Sequence, residues 1–429
     1  MPSLTRKIGA RSATALVIAN MIGTGVFTSL GFQLADTTNT VSILLLWCLG
    51  GAIALAGAFS YAELGAAFRR SGGEYHYLSQ LYHPLVGYLS GWVSLTVGFA
   101  APVALAAMAM AAYLAKSVPV STTGMATAVI VLVTVIHSVS IRRSSRFQLA
   151  TTALKVLLIL GFVALGLVLP PAVSNALDWS ASWQQEIMLP AFAVSLVYVT
   201  YAYSGWNAAA YIVDEIRQPA RNLPRALILG TLLVTVLYVL LQGVFLRQAG
   251  LAELTGKVEV GQVVATQLFG QTGGDWVSLA IALFLVSSIS AMVWVGPRVS
   301  LVMAEDHRFW QFLRQQNRHG IPVRALWFQS GLSILLVWTG TFEEVLLYCG
   351  FILQLFAMLA VLGTFLLRRK QIAMPYQNPT HPWLPALFIL ASLWILGFLL
   401  WERPEESLFG LANLAVGWIT YRISSKQWL

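Results

Sequence analysis

Residues Ser12 to Leu34 read SATALVIANMIGTGVFTSLGFQL, and the centre of this run, Met21-Ile22-Gly23-Thr24-Gly25-Val26-Phe27, decides how the chain is read. The run is long and apolar enough to cross a bilayer, for which a helix needs about 20 residues. Two glycines sit close together in its middle, and glycine is the residue that most weakens a helix interior. Non-helical backbone at membrane depth is tolerated where it lines a cavity or is buried in protein. A break at Gly23-Thr24-Gly25 leaves free N–H groups at the start of the second half and free carbonyls at the end of the first. Such a pair of ends can hold the carboxylate and the ammonium of one amino acid. Taken alone, the same glycines also fit a small-residue packing face.

The composition favours the first reading. Of 429 residues, 58% are hydrophobic and 10% charged, and the mean hydropathy is +0.73. Soluble domains carry about 25% charged residues, so the chain is an all-α polytopic membrane protein embedded in a lipid bilayer. Arg6, Lys7 and Arg11 lead straight into the first span with no small-residue cleavage site, so no cleavable signal is expected. Apolar runs between charged punctuation predict twelve spans, at 12–34, 41–67, 84–115, 121–140, 148–169, 187–213, 223–246, 274–304, 323–340, 343–367, 383–401 and 405–421. Of the 26 lysines and arginines, twenty then fall in segments on the side of the N-terminus. Lys116, Arg247, Lys257 and Arg403 fall on the other side, and Lys155 and Arg298 within spans. The positive-inside rule therefore places both termini in the cytoplasm, at the cell membrane. The net charge of +9 is thus a topology signal, and no nucleic-acid partner is expected. Cys48 and Cys349 lie inside predicted spans, which implies neither a disulfide framework nor a metal cluster.

The interruption occurs twice. Span six contains Tyr201-Ala202-Tyr203-Ser204-Gly205-Trp206-Asn207, a second small and polar break. It opens a second group of five spans as the Gly23 break opens the first, and an odd number of spans inverts the second group in the membrane. Breaks at corresponding positions of two inverted halves are a pointer to a transporter's binding site. The expected organisation is a first repeat over 1–170, a second over 171–370, and accessory spans over 371–429.

Lys155 is the only lysine well inside a span. Either it snorkels to the interface, or its ammonium faces the bundle interior and needs acceptors, with the carbonyls of the first break and the hydroxyls of Ser287 and Ser288 as candidates. Glu63, Asp214, Glu215, Arg298, Glu305 and Asp306 stand near inner span ends, as a salt-bridge gate or as ordinary interfacial charges. No role is assigned to His76, His83, His307 or His319. HExxH, CxxC, Walker and GxSxG patterns are absent, and no loop is long enough for a catalytic domain. No enzyme activity, catalytic residue, metal or cofactor is expected.

These residues resemble the amino acid–polyamine–organocation superfamily and, within it, the L-type amino acid transporter light-subunit family. Met21-Ile22-Gly23-Thr24-Gly25-Val26-Phe27 is similar to that family's IIGSGIF, and Tyr61-Ala62-Glu63-Leu64-Gly65 with Ser71-Gly72-Gly73-Glu74-Tyr75 to its YAELG and SGG(D/E)Y. Ala153-Leu154-Lys155 matches the span-five lysine, and Tyr203-Ser204-Gly205-Trp206-Asn207 is similar to YGGWN. Glu215 to Arg225 resembles E-x-x-x-P-x-R-N-L-P. The resemblance covers spans one to ten. It implies a LeuT-type 5+5 inverted repeat, with broken helices one and six and two C-terminal helices added.

The implied substrates are neutral or related amino acids. The carboxylate would meet the amides of Thr24 and Gly25 and the Thr24 hydroxyl. The ammonium would meet carbonyls of Met21, Ile22, Tyr201 and Ser204, with Tyr201 the aromatic gate. Gly205 would permit close approach of the substrate backbone, so that Gly205→Leu blocks binding with the fold retained. Gln354, Ala208 and Ala209 would shape the side-chain pocket. Lys155, with Ser287 and Ser288, would be the coupling site, its ammonium standing where a sodium ion sits in related folds. Two departures stand out: Thr24 replaces the usual serine, and the loop 116–121 has no cysteine for a disulfide-linked heavy subunit. The implied protein works alone and is of prokaryotic kind. It is a sodium-independent exchanger, with proton-coupled symport through Lys155 as the alternative and a sensor or channel as the reading of another class.

Overall fold

A computed structural model describes residues 8–68, 70–115, 119–139, 144–171, 179–317 and 320–425, without the side chains of 144–151 and 425. The loop at 116–118, His319 and the topology-setting Arg6, Lys7, Arg69, Arg142, Arg143, Arg318 and Lys426 lie outside the described residues, as does the Arg146 side chain.

In chain order residues 8–171 hold α1 (Ala10–Met21), α2 (Gly25–Gln33), α3 (Thr40–Ala67), α4 (Glu74–Leu81), α5 (Pro84–Val93), α6 (Ala100–Leu114), α7 (Thr122–Val139) and α8 (Ser144–Val168). Residues 179–369 hold α9 (Trp183–Glu186), α10 (Pro190–Ala202), α11 (Pro219–Gln248), α12 (Leu251–Leu254), α13 (Val260–Asp306), α14 (Val323–Thr339) and α15 (Phe342–Arg369). The chain closes with α16 (Trp383–Glu402) and α17 (Pro404–Ser425). A π-helical turn, Ser94–Gly98, joins α5 to α6, and a 3-10 helix, Ala208–Glu215, continues the line of α10. The ordered backbone among the described residues is helical, apart from one parallel bridge between Ile8 and Ile216.

Helices satisfy their own backbone groups, which is why the chain can enter hydrocarbon in this form. Among the described residues, eight helical segments are long and apolar enough to cross a membrane, including the broken pair Ala10–Gln33 and the pair Pro84–Leu114. The expected count of twelve is met only to that extent. Thr152–Val168 of α8 and Pro190–Ala202 are apolar but shorter, α14 has 17 residues, and α17 carries Glu405 and Glu406 in its first turn. Burial separates the centre from the rim. The most apolar windows of Ala10–Gln33 and Pro84–Leu114 are 72% buried, whereas those of α7 and α16 are 33% buried and turn most of their surface outward.

The two breaks cross each other at the centre. A Cβ on Gly25 would stand 2.3 Å from the Ala202 Cα, so α2 passes the end of α10 backbone to backbone. Gly205, with φ +93, lies on Asn20, where a Cβ would meet the carbonyl carbon and oxygen at 2.8 Å. Each interrupted helix thus uses its glycine to seat the other. Alanine at 205 must both adopt a left-handed backbone and push Asn20 aside, which costs on the order of 1–3 kcal/mol. Gly205→Ala and Gly25→Ala should each lower the unfolding midpoint of the purified protein in detergent. An unchanged midpoint in both would mean that the two breaks do not bear on one another.

Candidate functional site

The first helix stops at Met21 because Ile22 leaves the helical region (φ −74, ψ 82) and its N–H closes on the Ile18 carbonyl. Gly23 N–H folds back on the Met21 carbonyl at 2.8 Å. The helix restarts at Gly25 with Thr24 before it, Phe27 N–H donates to the Thr24 carbonyl at 2.9 Å, and the amides ahead of it, at a helix start, have no carbonyl one turn back. In span six, α10 ends at Ala202, Ser204 N–H donates to the Tyr201 carbonyl at 2.8 Å, and Ala208 N–H to the Gly205 carbonyl at 3.0 Å. The second half of this span is an eight-residue 3-10 helix whose Ile212 departs from helical geometry.

Between the breaks lie two neighbouring cavities. One, of about 30 Å3, is lined by Met21, Thr24, Gly25, Tyr201, Ser204 and Ser288 among others. The other, of about 100 Å3, shares Asn20, Tyr201 and Ser204 and runs on to Gly205, Asn207, Tyr211, Gln354 and Glu74. A water needs about 10–15 Å3 on this measure, so the larger cavity has room for a small solute. Phe99, Pro102, Met292 and Leu353 give it apolar walls. Tyr201 closes over the first break, its hydroxyl 3.2 Å from the Thr24 hydroxyl.

The sequence-derived site residues do not all behave as expected. Met21, Thr24, Gly25, Tyr201, Ser204 and Gly205 line the cavities, but Ile22 lines neither. Its carbonyl accepts Lys155 Nζ at 3.0 Å. The Met21 carbonyl already accepts the Tyr238 hydroxyl at 2.6 Å. Gly205 also differs from the expectation of a tolerated leucine, since its missing Cβ points at Asn20 backbone rather than into open cavity. Gln354 and Ala208 line the larger cavity.

Lys155 is 1% exposed. Besides the Ile22 carbonyl it donates to the Ser288 hydroxyl at 2.7 Å, and Ser288 lines the smaller cavity. Ser287 is buried beside it in α13. Snorkelling is thus replaced by an inward ammonium that ties the first break to α8 and α13. Among the described residues no carboxylate lies within ion-pair distance of it, so its acceptors are neutral dipoles.

The charges at the other end pair differently from one another. Glu63, fully buried, meets Arg368 at 2.7 Å, Arg298 meets Glu215 at 2.9 Å, and Arg70 meets Asp306 at 3.0 Å. Asp214 accepts the Ser71 N–H at 2.9 Å. Arg217 N–H donates to the Ile8 carbonyl, and Ile8 N–H to the Glu215 carbonyl. Sequence reasoning missed Asn20, Glu74, Asn207 and Tyr211 as cavity residues. The available signal was polarity beside a break: Asn20 precedes the first and Asn207 closes the second.

Comparison with known proteins places this geometry. A family model for amino acid permeases matches residues 8–418. The chain is 28% identical over 432 residues to the mouse b(0,+)-type amino acid transporter 1, an alignment covering 98% of this chain and 88% of that one. It is 27% identical over 433 residues to the human large neutral amino acids transporter small subunit 2, covering 97% and 79%. Two interrupted helices crossing around a small cavity, in a bundle of apolar helices matched almost end to end, show that the chain belongs to the amino acid permease family, as a multi-pass membrane transporter and not an enzyme.

Proposed function

We propose that the protein carries neutral amino acids across the cell membrane by alternating access, without sodium and in exchange for a second amino acid. In this reading residues 1–170 and 171–370 form two inverted five-span repeats of the LeuT type, α16 and α17 are accessory, and both termini are cytoplasmic. The substrate carboxylate meets the amides of Thr24 and Gly25 and the Thr24 hydroxyl. The ammonium meets the carbonyls of Tyr201 and Ser204, with the second lone pair of Met21. Ile22 serves through Lys155 rather than by direct contact. The apolar walls of the larger cavity, with Phe99, Met292 and Leu353, suit an uncharged side chain, in keeping with the name of the human relative.

One observation carries the sodium independence: Lys155 Nζ lies on Ile22 and Ser288. A fixed ammonium there supplies the positive charge that binds the broken end to its neighbours, and a metal ion has no remaining task. A channel is disfavoured because Tyr201 on Thr24 narrows the way toward α2 and three ion pairs, through Glu63, Glu215 and Asp306, tie span ends to one another. A disulfide-linked subunit is not invoked, since Cys48 and Cys349 lie on α3 and α15.

Two variants test the site. Tyr201→Ala keeps the carbonyl and loses the ring and the bond to Thr24. The expected outcome is an apparent affinity weaker by about tenfold, the worth of roughly one hydrogen bond and its packing, with binding still measurable by labelled-substrate assay. Wild-type rate and affinity would remove Tyr201 as gate. Lys155→Ala leaves the Ile22 carbonyl and the Ser288 hydroxyl without their donor, and transport into reconstituted vesicles should fall at least about tenfold with the protein still folded. For the wild type, initial uptake with sodium replaced by choline should be undiminished and should require internal amino acid. Strict dependence on sodium would sink the lysine-for-sodium reading, and uptake driven by a proton gradient into empty vesicles would replace exchange by symport.

A further inference from the structure

The stretch Ser71-Gly72-Gly73-Glu74-Tyr75 has no part in the site just proposed. Gly72 and Gly73 have φ +116 and +54, and a Cβ on Gly73 would stand 2.5 Å from the Tyr211 ring. This turn brings Glu74, the first residue of α4, under the second break. The side chain is 4% exposed and lines the larger cavity together with Asn207 and Tyr211.

Every partner of this carboxylate is neutral. The Tyr61 hydroxyl donates to Oε1 at 2.5 Å and Asn207 Nδ2 to the same oxygen at 3.3 Å, with the Tyr211 hydroxyl beside them, accepting from Asn207 Nδ2 at 3.5 Å and favouring the charged form of the acid. Both bonds fall on Oε1, so Oε2 keeps acceptor capacity for a proton. Charged groups on the surrounding elements are engaged elsewhere. Arg70 and Tyr75 are on Asp306, Arg368 of α15 is on Glu63, and Asp214 is on the Ser71 amide. Tyr88 of α5 faces Thr420, Tyr77 packs edge-on against Tyr61, and His76 packs against Phe68. Among the described residues no cation lies within ion-pair distance of Glu74.

We propose that Glu74 is a proton-binding site at the inner end of the substrate cavity, and that taking up this proton releases the 3-10 helix Ala208–Glu215 from α3 and α4 so that the cavity opens inward. The inference rests on the transport reading above. Hydrogen bonds to an ionised acceptor are roughly twice as strong as neutral ones. The charged Glu74 therefore clamps Asn207 and Tyr211 of span six to Tyr61 of α3, and the neutral acid holds them weakly. The proton comes from water reaching the cavity, forms one O–H bond, and returns to water on the inner side. α4 is not one of the spanning helices, and burial pushes the Glu74 acid up to about 7 against the pull of its three donors. The clamp is thus set above neutral pH and loosened below it.

The test is counterflow of labelled L-alanine and L-leucine into vesicles holding the full-length protein, at equal internal and external pH from about 5 to about 9. Wild-type exchange should rise about tenfold toward acid, along a one-proton curve with its midpoint near neutrality. Glu74→Gln should hold one rate across that range, and Tyr211→Phe, which removes a donor to the charged form, should move the midpoint upward. A flat wild-type curve, a Glu74→Gln variant that titrates like the wild type, or an unmoved midpoint in Tyr211→Phe would overturn the proposal. If Glu74→Gln fails to fold, the Tyr211→Phe midpoint decides. If the wild type carries neither amino acid at any pH, the transport reading fails, and the acid-minus-alkaline infrared difference spectrum of the solubilised protein decides the proton site. The protonated-carboxyl band must diminish in Glu74→Gln, and an unchanged band refutes the site.

Discussion

A helix broken inside hydrocarbon strands carbonyl and N–H groups, and leaving even one without a partner costs on the order of several kcal/mol. Much of the packing around α1 and α2 answers that constraint. The Met21 carbonyl takes the Tyr238 hydroxyl of α11, and the Ile22 carbonyl takes Lys155 of α8. Further on, the Val26 carbonyl takes Gln242 of α11 and the Phe27 carbonyl takes the Tyr113 hydroxyl of α6. Donors from three separate helices thus hold four carbonyls, two on either side of the break in one interrupted span. A bilayer offers no water to do this, so the break exists only because the surrounding helices supply the donors.

The same constraint sorts the contacts into a fixed set and a changeable one. The donors from α6, α8 and α11, namely Tyr113, Lys155, Tyr238 and Gln242, line neither cavity. Contacts across the cavity are fewer: the 3.2 Å approach of Tyr201 to Thr24 and the 3.3 Å bond of Asn207 to Glu74. In the proposed cycle these are the ones that open, since breaking them exposes groups to a wet cavity rather than to lipid, where water takes their place.

Much of this was legible in the sequence, for reasons that can be named. Two glycine-containing interruptions stand out because apolar spans otherwise have nothing to gain from them, and Lys155 stands out because a charge at that depth must have acceptors. The partners of the broken carbonyls were not legible. Tyr113, Gln242 and Tyr238 lie 86, 216 and 217 residues from the groups they serve, and nothing local marks them. Spacing says which carbonyls are freed but not which way each one points, so only the structure shows that the Ile22 carbonyl is the one that takes Lys155. Glu74 entered the sequence reading only as part of the Ser71-to-Tyr75 motif, and its burial depends on the left-handed turn at Gly72-Gly73 and the lodging of Tyr211 against it. Span six fell short of a full apolar helix because it spends its second half as a 3-10 helix, which hydropathy alone does not distinguish from a continuous run.

Lys155 and Glu74 are opposite charges, both buried, and neither is neutralised by the other. Pairing them directly would be the cheaper arrangement for either ion alone, since a buried charge with only dipoles around it bears most of its desolvation cost. The separation has a consequence for what sits between. Lys155 reaches the smaller cavity through Ser288, beside Thr24 and Gly25, while Glu74 borders the larger one, beside Asn207. The local field therefore runs from a positive side at the first break to a negative side below the second. A zwitterion placed with its carboxylate at Thr24 and Gly25 and its ammonium toward span six lies along that field, and the reversed pose lies against it. The helix end of α2 favours the same direction, because its free N–H groups also present positive charge to a carboxylate. In the proposed site, two buried charges and one helix terminus thus favour a single orientation of an amino acid substrate, which the proposed alternating access requires if the same groups are to serve the site from either side.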